Sequence, residues 1–273
     1  MEPDAPKPSM IFEGLKNTHA VLSQITAVAP DTAESGKIAY PFDFKVGDGN
    51  RAEVIIHTPH GDIRLNNFLP EKIFLQHIED TKSPVAVKRW GVNNNLIQIK
   101  ISVDMEWVKD HPSVGIPALA HELGHALSTE GKEIPELPEL PDNPKTPADV
   151  EQIVEFACNA VSDGLEEEME SWNYGKSVAT LFGMDESVYE SRMEEQMRSY
   201  KEEYFLKLQQ ILNEYVGKYN RNTQTQFQTP KLFKVYDVAT QERVDMNYDQ
   251  LTKIVSEASQ EKANRAAAPQ RTV

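Results

Sequence analysis

The sequence predicts an α+β protein: a small mixed sheet with helices, followed by a mainly helical C-terminal half. Three observations carry that expectation. Ile97, Ile99, Ile101 and Val103 alternate with Gln98, Lys100 and Ser102, the two-residue period of a strand with one buried face. From Pro112 onward the apolar spacing lengthens to three and four, as one face of a helix requires. Between two helical stretches lie Pro135, Pro138, Pro141, Pro144 and Pro147, a three-residue repeat that favours polyproline II and reads as a stiff connecting loop.

Taken in order, residues 1–10 are dominated by proline and charge and predict a disordered N-terminus. Ile11, Phe12, Leu15, Leu22 and Ile25 predict a helix over 11–29. Ala52–His57 is rich in β-branched residues, and Thr58-Pro59-His60-Gly61-Asp62 reads as a turn into a strand at Ile63–Leu65. Leu69–Ile78 reads as a short helix, and Val85–Val87 and Leu96–Val103 as strands. Residues 116–129 form a helix with Pro117 tolerable in its first turn. Thr146-Pro147-Ala148-Asp149 is a capping box opening a helix to about Trp172. A long helix at 186–219 carries Tyr189, Met193, Met197, Tyr200, Tyr204, Leu208, Ile211 and Tyr215 as a core-facing stripe, in preference to a coiled-coil seam. Residues 220–230 are a polar loop, Leu232–Val238 a strand, and Asn247 caps a last helix to about 266, before a disordered tail at 269–273.

Composition excludes some functions. The 273 residues carry 28 Lys+Arg against 43 Asp+Glu, a formal charge of −15. That surplus argues against affinity built on nucleic-acid phosphates or anionic lipid surfaces. No segment approaches the length of apolar chain a membrane span needs, and MEPDAPKPSM is not a secretory leader. A soluble, cytoplasmic protein is expected, with no nucleic-acid or membrane partner. The single cysteine, Cys158, excludes an internal disulfide or a multi-cysteine metal cluster. The histidines are His19, His57, His60, His77, His111, His121 and His125, with none beyond 125.

Residues 121–125 read His-Glu-Leu-Gly-His inside an apolar helix. Residues four apart stack on one helix face, so both imidazoles can address one metal ion. Glu122 lies about 100° around the axis from His121, close enough to reach a water there without being a ligand. Gly124 removes a side chain where another segment can approach closely.

This helix resembles the active-site helix of the zincin metallopeptidases. The resemblance implies Zn²⁺ on His121 and His125, with Glu122 as general base, in a catalytic domain over 11–183 followed by a helical region over 184–268. The metzincin branch needs a histidine at position 131, which is Gly; peptide deformylase needs an upstream cysteine; thermolysin-type spacing would place its glutamate at 145, which is Lys. With no later histidine, any downstream third ligand must be Asp or Glu, which points to a gluzincin-like site. The stretch Glu155-Phe-Ala-Cys-Asn159-Ala-Val-Ser is similar to the ImmA/IrrE-type pattern, with Cys158 and Val161 departing from it. Glu155 is therefore the expected ligand and Glu151 its alternative, with Asn159 or Asp163 orienting a histidine. Tyr174 is the candidate oxyanion partner, and strand 96–103 resembles in position the edge strand that holds an extended substrate. The expected activity is hydrolysis of a peptide or protein; the alternative is a binding or regulatory module with a structural zinc. A scaffold built on the long helix and the proline run is a third reading. Residues 130–170 hold 13 acids and two bases, a net −11, so basic substrate segments are expected to be favoured.

Overall fold

The computed structural model describes residues 38–79, 85–92, 95–128 and 143–267. The ends expected to be disordered, the helix expected at 11–29 and the first three prolines of the run lie outside the described residues. The fold is α+β, with small sheets in the N-terminal half and a mainly helical remainder. No helix among the described residues is long and apolar enough to cross a membrane. The chain divides into two compact units, Met1–Pro135 with Glu170–Met193, and Glu136–Met169 with Glu194–Val273.

In the first unit, β1 (Phe42–Val46), β2 (Ala52–Thr58) and β3 (Gly61–Arg64) form an antiparallel sheet in that order. The expected turn after Thr58 is present, with Gly61 at φ 122, where a Cβ would be strained. His57 on β2 stands 2.8 Å from Asp62 through Nδ1 and 3.2 Å from Asp43 through Nε2, and Lys109 donates to Asp43 at 2.7 Å. Only the imidazolium donates from both ring nitrogens. The Asp62 hydrogen bond, then that of Asp43, raises the His57 pKa. Its contribution is therefore full below the unfolded histidine value near 6.5 and is lost as pH rises through the higher folded value. The expected result is an NMR titration midpoint for His57 above about 6.5, with amide exchange in β1 to β3 quickening above it; a midpoint at or below the ordinary value overturns this.

A second sheet holds β4 (Ile73–His77), β6 (Asn95–Val103) and β5 (Val85–Val92), in the order β4-β6-β5. Two expectations are corrected here. The segment expected as a helix at Leu69–Ile78 contains β4, because Ile73 and Leu75 follow a two-residue period and pair with Ile99 and Ile101 of β6. All four are buried, at 5% exposure or less. Strand 96–103 is not an edge: β6 is the middle strand, parallel to β4 and antiparallel to β5. The outer edge of β4 is bridged through Gln76 to Arg51, whereas β5 carries no further strand among the described residues.

The chain continues through α1 (Met105–Asp110) and α2 (Pro112–Ser128). Asp104 caps α1 by accepting from Trp107 N–H at 3.0 Å. Helix α2 starts four residues earlier than expected, with Pro112 at its first position, so Pro117 lies inside it rather than in its first turn. Ile116, Leu119, Ala120, Leu123 and Ala126 are fully buried, and a helix apolar on most of its surface belongs in a core. It packs against α1, β5 and β6. The unit is completed by the C-terminal part of α3 (Pro147–Leu181) and the start of α4 (Glu186–Thr223). Gly183, at φ 66, closes α3, and its carbonyl accepts from Ala39 N–H at 3.1 Å.

In the second unit, the capping box is present: Asp149 N–H donates to Thr146 Oγ1 at 3.2 Å and Thr146 N–H to Asp149 Oδ2 at 3.0 Å. The stripe of α4 agrees with the expected one at Tyr189, Met197 and Leu208, which are buried, and is shifted elsewhere. Phe205, Leu212, Val216 and Tyr219 are buried with Leu208, while Tyr200, Tyr204, Ile211 and Tyr215 are only half-buried. The loop after α4 is anchored by buried Phe227, whose N–H donates to Asn220 Oδ1 at 2.7 Å. Strands β7 (Phe233–Asp237) and β8 (Glu242–Met246) form a hairpin, and Asn247 caps α5 (Tyr248–Ala267) by accepting from Gln250 N–H at 2.9 Å.

Candidate metal centre

Helix α2 presents His121 and His125 one turn apart, both buried, with their Nε2 atoms 3.1 Å apart. Two nitrogens each bound to one tetrahedral zinc stand about 3.3 Å apart, from Zn–N bonds of 2.0–2.1 Å. A carboxylate joins them: one ligand atom from each of His121, His125 and half-buried Glu168 lies within 4.8 Å of the others. This His-His-Glu group can hold a metal ion. Two nitrogen donors and one carboxylate oxygen form the donor set of known catalytic sites.

Glu168 is carried by α3, one turn before Ser171 and Trp172. Ser171 Oγ stands 2.7 Å from His125 Nδ1. The Trp172 ring stacks on His121 with centroids 4.4 Å apart and planes 26° apart. Tyr189 of α4 donates to the Trp172 carbonyl at 2.8 Å, and burial pushes its hydroxyl pKa up. Close approach of α2 and α3 depends on two glycines. A Cβ on Gly124 would lie 1.8 Å from the Ser171 carbonyl oxygen, and one on Gly175 would lie 2.5 Å from that of Ala120. The close approach expected at Gly124 is therefore present, and α3 is the segment that makes it.

Glu122 is half-buried on α2 between the two histidines. The other candidates of α3 lie elsewhere. Glu155 is exposed and pairs with Lys231 at 2.8 Å. Glu151 accepts from the Thr229 hydroxyl, Asn159 is exposed, and Asp163 pairs with Arg243 together with Glu166. Glu155 lies 13 residues from Glu168 on one helix, about 20 Å along its axis at 1.5 Å per residue. The carboxylate brought to the histidines is thus Glu168, in place of the expected Glu155 or its alternative Glu151. Cys158 is buried, and burial pushes its thiol up to about 12, so it is held protonated. Tyr174 is half-buried on α3.

Glu168, Ser171 and Trp172 were not singled out in the sequence, although a signal was there. Val161, Leu165, Glu168, Trp172 and Gly175 follow one another at spacings of four and three on α3, the pattern of a single face. Four of them are buried or form the α2 contact, so a carboxylate on that stripe needs a partner. Glu151 and Glu155 each lie one residue off it, beside Val150 and Val154. No family model, curated protein or solved structure matches this chain.

Proposed function

We propose that the protein is a zinc-dependent peptidase in which His121, His125 and Glu168 hold the metal and Glu122 is the general base. The observation that carries this reading is the His-His-Glu group on two tightly crossed helices. It has three protein members among the described residues, the number that catalytic zinc sites use, whereas structural sites are closed by a fourth. Bound there, zinc supplies Lewis acidity that polarises a scissile carbonyl and lowers the pKa of water. Glu122 takes the proton of the attacking water and delivers it to the leaving amine. Strand β5, beside α2 and antiparallel to β6, offers the edge on which an extended peptide can be held by main-chain hydrogen bonds. The substrate is a peptide or protein. A preference for basic segments follows from the acidic stretch 130–170, within which Glu155, Asp163 and Glu166 are already matched by Lys231 and Arg243.

The test is metal analysis of the purified chain together with an unbiased peptide-library digest. One zinc per chain, with cleavage lost on chelation and restored by zinc, supports the reading; absence of zinc affinity sinks it. Within the same assay, Glu168→Ala is expected to weaken zinc binding by more than ~100-fold, beyond the loss typical of an outer partner. Glu155→Ala should leave it unchanged, and the opposite ranking would reassign the third ligand.

A further inference from the structure

We propose that Trp172 is a hydrogen-bond donor of the metal centre, its buried indole N–H serving an oxygen ligand of the ion: water, or the carbonyl or carboxylate oxygen that replaces it. This deepens the peptidase reading above and rests on it. An indole N–H donates and cannot accept, and when buried it ordinarily finds a partner. Trp172 is 2% exposed, and its Nε1 is shielded from solvent with no hydrogen-bond partner among the described residues. A donor left in that state is a standing cost to the fold.

Packing does not account for it. The ring is held from two sides: its plane lies 26° from that of His121 with centroids 4.4 Å apart, and the Tyr189 ring stands 5.3 Å away at 60°. Tyr189 also donates to the Trp172 carbonyl at 2.8 Å, and Gly175 leaves room for that hydroxyl. A phenyl ring could make the same stack without burying a donor, so the N–H is what the stack leaves unexplained. The stack sets the indole against one proposed ligand, His121, so an acceptor that comes with the ion is delivered to the same place. Three protein ligands on a catalytic zinc leave the next position to an oxygen of water or substrate, and that oxygen can accept. An N–H fixed beforehand by packing needs no reorganisation to stabilise negative charge developing there.

The experiment is ¹H–¹⁵N NMR of the indole groups in the full-length protein, metal-free and with one equivalent of zinc, alongside chelator competition for zinc affinity. The chain has three tryptophans, Trp90, Trp107 and Trp172, and the Trp172 signal is assigned by its proximity to the His121 ring protons. Zinc should move the Trp172 N–H signal downfield, as hydrogen-bond formation does. Trp172→Phe keeps an aromatic face on His121 and removes the donor. It should weaken zinc binding about 10–100-fold, the usual effect of removing an outer partner. If Trp172 acted by packing alone, phenylalanine would retain wild-type affinity, and that result overturns the proposal. A Trp172 N–H signal that does not move while one zinc binds overturns it as well, and that measurement needs no variant. Failure of the chain to take up any zinc overturns the peptidase reading and this role together, so zinc content tells the two failures apart.

Discussion

Glu122→Gln is expected to keep one zinc per chain and to reduce peptide cleavage by about 10²–10⁴-fold, the usual contribution of a positioned general base. The amide matches the carboxylate in size and hydrogen-bonding reach but does not take a proton at neutral pH. Glu122 is on α2 between the two histidines and is half-buried, so the exchange leaves the proposed ligands His121, His125 and Glu168 untouched. Metal content and cleavage rate must therefore separate in this variant. Cleavage within tenfold of the wild type would remove Glu122 from the proton path. Joint loss of zinc and cleavage would make it a structural residue.

Gly124→Ala is expected to destabilise the protein although alanine is the better helix former. Propensity alone favours alanine by about 0.8–1.0 kcal/mol in a helix interior. Packing opposes it, because the new Cβ would lie 1.8 Å from the Ser171 carbonyl oxygen and 2.7 Å from its carbon. Both are backbone atoms, which cannot rotate away, so α2 and α3 must separate. Overpacking of this kind costs roughly 1–3 kcal/mol or more, which outweighs the propensity gain. Thermal unfolding should show a lowered Tm, accompanied by weaker zinc binding as Ser171 moves from His125. A Tm equal to or above the wild type would mean that the two helices do not cross this closely.

Much of the fold is legible in short stretches of sequence because the forces are local. The capping box at Thr146 and the cap at Asn247 each satisfy backbone donors within three residues. The turn at Thr58–Gly61 needs only a residue that accepts positive φ. Where the structure departs from local spacing, partners far along the chain decide. Residues 69–78 contain both a helix-like and a strand-like spacing, and pairing of Ile73 and Leu75 with β6 decides between them. The place of β6 inside its sheet is likewise set by the strands that flank it, of which its own alternation carries no record. On α4 the sequence pointed to Tyr204 and Ile211, but Phe205 and Leu212, one residue on, are the buried positions. A stripe on a helix packed from more than one side is wider than a single spacing.

By itself the sequence determined the histidine pair, its helix and the glutamate between, because a four-residue spacing places two side chains on one face whatever surrounds them. It also restricted any third member of a metal group downstream of the pair to a carboxylate, through the absence of any histidine beyond 125. Which carboxylate it is only the tertiary structure decided. Glu166, Glu167 and Glu168 are adjacent and chemically identical, and the crossing of α2 and α3 at Gly124 and Gly175 is what turns Glu168 to the histidines. The same crossing brings Ser171 to His125 and Trp172 to His121. Contact between residues more than forty positions apart is set by the packing of two helices, and local spacing does not encode it.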